Sequence, residues 1–257
     1  MSAIVTIKGD DGVIVAFDTI SYDMNGVILS TTACKLLPLI ELNCVIGNVG
    51  VAGLTTALRH KIAARYADFD DLLGGVVEDL RELYNEIVEY YSQQSGPTPH
   101  ATVVLAGWSA IRNRFETYRV STREKEIISA GIHSTSPPFS LVATDGCWTS
   151  SMYRAEDCAR FGIDFENESN FINLAVRIVC ACRAASSEEG TGDFAGLPYG
   201  VGGQLQILLL QRNRITQWAA HSWPDEVGTT LDATAGDAMP NWLTEQSKAA
   251  AAATSDS

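Results

Sequence analysis

Basic charge is scarce in this chain of 257 residues: 18 Lys and Arg stand against 31 Asp and Glu, a formal net charge of −13. A general nucleic-acid binder needs clustered cations to displace counterions from phosphates, so that class is excluded, and anionic membrane surfaces are disfavoured for the same reason. Long apolar runs are missing too, since no uninterrupted stretch reaches the roughly 18 residues of a membrane span. No secretory signal opens the sequence, and a cytoplasmic location is expected. No Gly-rich loop ends in Gly-Lys-Ser or Gly-Lys-Thr to cradle a nucleotide phosphate. Gly107-Trp108-Ser109-Ala110-Ile111 lacks the second glycine of a nucleophile elbow and reads as an ordinary strand end. The histidines His60, His100, His133 and His221 are scattered, and Cys180-Ala181-Cys182 has neither zinc-knuckle spacing nor histidine neighbours. No metal or cofactor is therefore expected. Cys34, Cys44, Cys147, Cys158, Cys180 and Cys182 read as reduced thiols, because a chain this long does not need disulfides to hold a core.

What is present is a core-forming composition, 46% apolar and 19% charged. Ile4 to Ile7, then Gly9-Asp10-Asp11-Gly12, then Val13 to Phe17 predict a hairpin whose second arm, lacking polar alternation, is a central strand covered on both faces. Leu42 to Val49 predicts a strand that passes through Gly47 and Gly50 into a helix marked by Leu54, Leu58 and Ile62. A longer helix, capped at Asp70 or Asp71, carries an apolar stripe from Leu72 to Tyr91, with Glu78, Asp79, Arg81, Glu82, Glu86 and Glu89 opposite. Strands are expected at Ala101 to Ala106, Arg114 to Val120, Ile127 to Ile132 and Phe139 to Thr144. Helices follow near Ser151 to Arg160 and Asn170 to Ala185, and a final hairpin spans Gln204 to His221. Segregated strand and helix runs indicate an α+β layered architecture with mainly antiparallel pairing. The expected division is one domain over 1–223 and an extension over 224–257. The extension's Gly, Thr, Asp and Ala content offers few groups to dock beyond Trp223, Met239, Trp242 and Leu243, so it is expected to be dispensable for the core.

Ser2 is the informative residue. Removal of Met1, which is favoured before a small side chain, would leave a free α-amine beside the Ser2 hydroxyl, and an unprotonated amine can take that proton near neutral pH. Serine is also a common second residue with no such role. Other residues add to it. The predicted hairpin folds Asp18 back beside Ser2, Lys35 is able to pair with Asp18, and Gly50 at a strand-to-helix turn is able to offer a backbone N–H to an oxyanion. Taken singly, Lys35 reads as a surface charge and Gly50 as a turn glycine.

Ser2-Ala-Ile-Val-Thr-Ile7, Gly12-Val-Ile-Val-Ala-Phe-Asp18, Cys34-Lys35-Leu36 and Gly47-Asn48-Val49-Gly50 together resemble the proteasome β-type subunits and their bacterial protease relatives. The resemblance is specific over about the first 60 residues. It implies a four-layer αββα sandwich of the N-terminal nucleophile (Ntn) hydrolase type, with Ser2 as nucleophile in place of the usual threonine, Asp18 and Lys35 supporting it, and Gly50 as the oxyanion glycine. It also implies a peptide or amide substrate, a homo-oligomer in a ring or helical assembly, and an ATPase unfoldase partner. Where the family has Asp, two residues, Ser, Gly, Gly, this chain has Pro198-Tyr-Gly-Val-Gly-Gly203, so that Asp and Ser are absent; Asp193 is the nearest carboxylate. The alternative function is therefore a catalytically inactive homologue acting as a self-assembling structural protein.

Overall fold

A computed structural model of the chain describes residues 2–23, 25–92, 100–123, 125–129, 132–151, 153, 155–186 and 200–246. In chain order the strands are β1 (Ile4–Lys8), β2 (Val13–Asp18), β3 (Ser21–Tyr22), β4 (Ile28–Ser30), β5 (Leu36–Leu39) and β6 (Cys44–Val49), followed by helices α1 (Leu54–Ile62) and α2 (Phe69–Ser92). Then come β7 (Thr102–Ser109), β8 (Arg114–Ser121), β9 (Lys125–Ser129), β10 (Ile132–Ser136), β11 (Val142–Ala143) and β12 (Cys147–Thr149). Helices α3 (Ala155–Phe161) and α4 (Phe171–Ser186) precede the last hairpin, β13 (Gln204–Gln211) and β14 (Arg214–Ser222).

Two five-stranded sheets result, ordered β12-β1-β2-β13-β14 and β11-β8-β7-β6-β5, with antiparallel pairing throughout, and β3-β4 and β9-β10 form two-stranded ribbons. The expected four-layer αββα sandwich is corrected to a β-rich antiparallel fold with few helices, 33% strand against 29% helix. The physical reason is that helical cover is partial. The main contacts of α4 fall on β1, β2 and β13, while those of α1 and α2 fall on β5, β6 and β7. Strand β14 accordingly buries none of its residues fully, each being exposed or half-buried.

Strand β2 shows why this sequence makes a central strand. Val13, Val15 and Phe17 face an apolar cluster shared with Leu36, Val45, Val104 and Ala106 of the other sheet, and Ile14 and Ala16 face a second cluster under α4. Each large side chain buried this way contributes about 1.5–3 kcal/mol, and alternation sends the benefit to both faces. Asp18, the last residue of β2, follows Phe17 into this environment with none of its surface exposed.

Helix α2 begins at Phe69, two or three residues earlier than its acidic pair Asp70-Asp71 suggests. The Asp68 carboxylate accepts the Asp71 N–H at 2.9 Å, which makes Asp68 the cap and brings Phe69, Leu72, Val76, Leu80 and Tyr84 onto one buried stripe. Asp79, expected on the solvated face, is fully buried and takes hydrogen bonds from Arg65 and Tyr66. The expected strand at Ile127 to Ile132 is instead the β9-β10 hairpin.

The segment after Pro224 lies against its own chain. Val27 bridges Thr230, the Ile28 N–H reaches the Thr229 carbonyl at 2.8 Å, and Trp223 and Leu243 are buried in the α4 cluster with Met239 and Trp242 beside them. Residues 241–246 are helical, and the Trp242 indole N–H donates to the Ala220 carbonyl at 3.3 Å. Composition understated this docking because several of its anchors are polar. Asp225 is paired with a buried arginine of α4, Arg183, in which both side chains are at most 2% exposed. No described helix is long and apolar enough to cross a membrane.

Candidate active site

The β1-β2 register sets Ile4 opposite Phe17, so Ala3 stands opposite Asp18 and the two exchange contacts. The Ala3 N–H donates to Asp18 Oδ1 at 2.8 Å, and the Asp18 N–H donates to the Ala3 carbonyl at 3.2 Å. Lys35, immediately before β5, enters from the second sheet. Its Nζ lies 2.8 Å from Ser2 Oγ and 2.8 Å from Asp18 Oδ2. Ser2, Asp18 and Lys35 are thus brought into one hydrogen-bonded set, across separations of up to 33 residues.

The electrostatics of the set are unusual for a lysine. Burial pulls the Lys35 ammonium below its ordinary range, opposed by the Asp18 charge and the hydrogen bond to it. A buried ion pair is weak evidence for stability, because desolvation offsets most of the Coulombic gain. Its value here lies in holding an amine of lowered proton affinity against a hydroxyl.

Lys35 is held from behind. Its carbonyl accepts the Asn48 N–H at 2.9 Å and the Thr55 hydroxyl at 3.2 Å, and Asn48 in turn accepts from the Thr55 N–H at 3.1 Å and donates to the Val51 carbonyl at 2.8 Å. The turn that contains Gly50 is therefore tied to Lys35 through Asn48 and Thr55, and this is the link that joins Gly50 to the other three residues. Gly50 itself has φ +102°, and an added Cβ would run into the His100 carbonyl oxygen. Packing alone accounts for a glycine here. Gly50→Ala is expected to cost about 2 kcal/mol or more and to lower the thermal midpoint by roughly 4–8 °C. A melt followed by circular dichroism checks this, and an unchanged midpoint would contradict the clash.

Three further contributors escaped the sequence. The Ser150 and Ser151 hydroxyls donate to the Ser2 carbonyl at 3.0 and 2.7 Å, and Ser150 Oγ accepts the Ile4 N–H at 2.8 Å. They clamp the backbone of Ser2 from the end of β12, which pairs with β1. A three-residue edge strand carries too little alternation to be recognised, and Ser151 reads from sequence as a helix start. The third contributor is Gly202, whose N–H donates to Asp18 Oδ2 at 3.2 Å. The loop that lacks the expected Asp and Ser side chains thus contributes a backbone donor to the site. Asp193 lies outside the described residues.

Among the described residues no three His, Cys, Asp or Glu side chains gather as a metal set. The chemistry available is that of a hydroxyl in contact with a buried amine, which is itself braced by a carboxylate carrying two backbone donors. Comparison with protein-family models found no match, and comparison with curated proteins found none either.

Proposed function

We propose that the chain is an amide or peptide hydrolase in which Ser2, exposed by removal of Met1, is the nucleophile. The observation that carries this reading is the position of Lys35 Nζ, 2.8 Å from Ser2 Oγ and 2.8 Å from Asp18 Oδ2. The Ser2 hydroxyl attacks the substrate carbonyl and its proton passes to Lys35, whose lowered proton affinity leaves more of it neutral near working pH. The tetrahedral oxyanion collapses with cleavage of the amide C–N bond, Lys35 returns its proton to the leaving amine, and an acyl ester remains on Ser2. Water, deprotonated by the Ser2 α-amine, then attacks the ester, and as the C–O bond breaks the α-ammonium returns that proton to Ser2 Oγ and the acid leaves. The Gly50 N–H, at the turn tied to Lys35, is the oxyanion donor in this reading. The resemblance to proteasome-type proteases supports the same assignment and adds a homo-oligomeric chamber fed by an ATPase unfoldase.

The test is covalent. An aryl fluorophosphonate, which phosphonylates activated serine hydroxyls, is expected to add once, at Ser2, in the wild type and not in Ser2→Ala. Intact mass reports both the adduct and the true N-terminus. The labelling rate should rise with pH, with a midpoint below the ordinary lysine pKa of about 10.4. A chain that retains Met1, or that labels equally in Ser2→Ala, overturns the mechanism.

A further inference from the structure

The ion pair that anchors the C-terminal segment sits directly behind the Asp18 carboxylate. Arg183 of α4 donates through both terminal nitrogens to Asp225, at 3.0 and 2.9 Å, and also reaches the carbonyls of Val201 at 2.9 Å and Asp232 at 3.0 Å. Its guanidinium lies 4.8 Å from the centre of the Trp223 ring. Asp225 Oδ2 accepts the Gly203 N–H at 2.7 Å, and the Trp223 N–H closes on the Gly203 carbonyl at 2.9 Å. The loop 201–203 is thereby gripped on both sides of Gly202. What it presents forward is the Gly202 N–H on Asp18 Oδ2, at 3.2 Å, the same oxygen that meets Lys35 Nζ. Gly202 is wedged in place, since a Cβ there would meet Asp225 Oδ2 at 2.5 Å and Arg183 at 2.9 Å. Its carbonyl in turn accepts from the Thr19 and Ile20 N–H groups at 3.2 and 3.1 Å, just after Asp18.

We propose that Arg183 and Asp225 are positioning residues of the Ser2 site, holding the Gly202 N–H on Asp18 and so setting the orientation of the carboxylate that directs Lys35. This rests on the hydrolase reading for its consequence in reactivity, but its geometry is independent of it. The device takes the place of the side-chain support absent from the Pro198–Gly203 sequence, and it makes the segment after β14 part of the site. The charged and titratable groups facing Asp18 are Lys35, Tyr22 of β3 and Cys182 of α4, and Tyr22 in turn faces Arg183 of α4 and Asp225. Of these, Asp225 is the one whose removal releases the loop without touching Ser2, Asp18 or Lys35.

The experiment uses the full chain with Asp225→Ala and Asp225→Asn. In Asp225→Ala, fluorophosphonate labelling of Ser2 is expected to slow by about tenfold or more at a temperature where the variant is folded. Asp225→Asn, whose amide oxygen still accepts from Gly203, should recover part of the rate, and it decides the matter if the alanine variant does not fold. A second readout needs no reactivity: the Lys35 titration, followed by NMR on 13C-labelled lysine and assigned with Lys35→Arg, should move by about 0.5 pH unit or more. A wild type that does not label at Ser2 sinks the hydrolase reading alone, and the Lys35 titration then tests the positioning by itself. Variants that only melt earlier, with Lys35 titrating as in the wild type, overturn the proposal.

Discussion

Lys35→Met should abolish Ser2 labelling and any amide hydrolysis, with a loss of about 10² to 10⁴ in rate, the range that a positioned proton acceptor contributes. It should also destabilise the chain. Asp18 has no exposed surface, and without the lysine its carboxylate keeps, among the described residues, the Ala3 and Gly202 N–H groups. Breaking one partner of a buried pair typically costs about 3–5 kcal/mol, because the remaining charge stays desolvated. A double variant separates the two effects. Lys35→Met with Asp18→Asn removes both charges at nearly constant volume, so most of the lost stability should return while labelling stays absent. Denaturant melts of the wild type, both single variants and the double variant measure this, with labelling rates taken on the same samples. Wild-type labelling in Lys35→Met would show that another group takes the proton.

Truncation after Trp223 is the second change with a large expected effect, and the full cooperative transition should not survive it. The cut removes Asp225 together with the carbonyls of Asp232 and Ala235, leaving the Arg183 guanidinium with the Val201 carbonyl and the Trp223 ring. It also strips Leu243, which is wholly buried, from the cluster under α4. An unpaired buried guanidinium costs about 3–5 kcal/mol and a lost leucine anchor about 1.5–3 kcal/mol, against a total stability of roughly 5–15 kcal/mol for a domain. If the chain cut after Trp223 melts as the full-length protein does, the anchors contribute little and the positioning role of Asp225 fails with them.

How much of this was legible beforehand differs by element. The β1-β2 hairpin was readable because two β-branched runs flank Gly9-Asp10-Asp11-Gly12, and that hairpin alone carries Asp18 back to Ser2. Helices α1 and α2 announce themselves by apolar spacing. The start of α2 was misplaced because Asp68, Asp70 and Asp71 compete as caps, and only the burial of Phe69 decides among them. Periodicity sends Asp79 to solvent because it measures polarity, whereas its burial depends on Arg65 and Tyr66 arriving from the preceding turn.

By itself, then, the sequence determined the longer strands β1, β2, β6, β7, β8, β13 and β14 and the longer helices, the antiparallel hairpins at both ends, and the contact of Asp18 with the N-terminal strand, because each depends on residues close in the chain or on a periodic pattern. Tertiary structure decided how far the helices cover the sheets, which is why a β-rich antiparallel fold stands where four full layers were expected. It also decided that Lys35 reaches Ser2 rather than water, that Ser150 and Ser151 clamp the Ser2 carbonyl, and that Arg183 and Asp225 close behind Gly202. These contacts span from 18 to 184 positions of the sequence. No local propensity encodes them, and each exists only once the two sheets have paired and packed, because a single hydrogen bond contributes about 1 kcal/mol and cannot by itself bring such distant segments together.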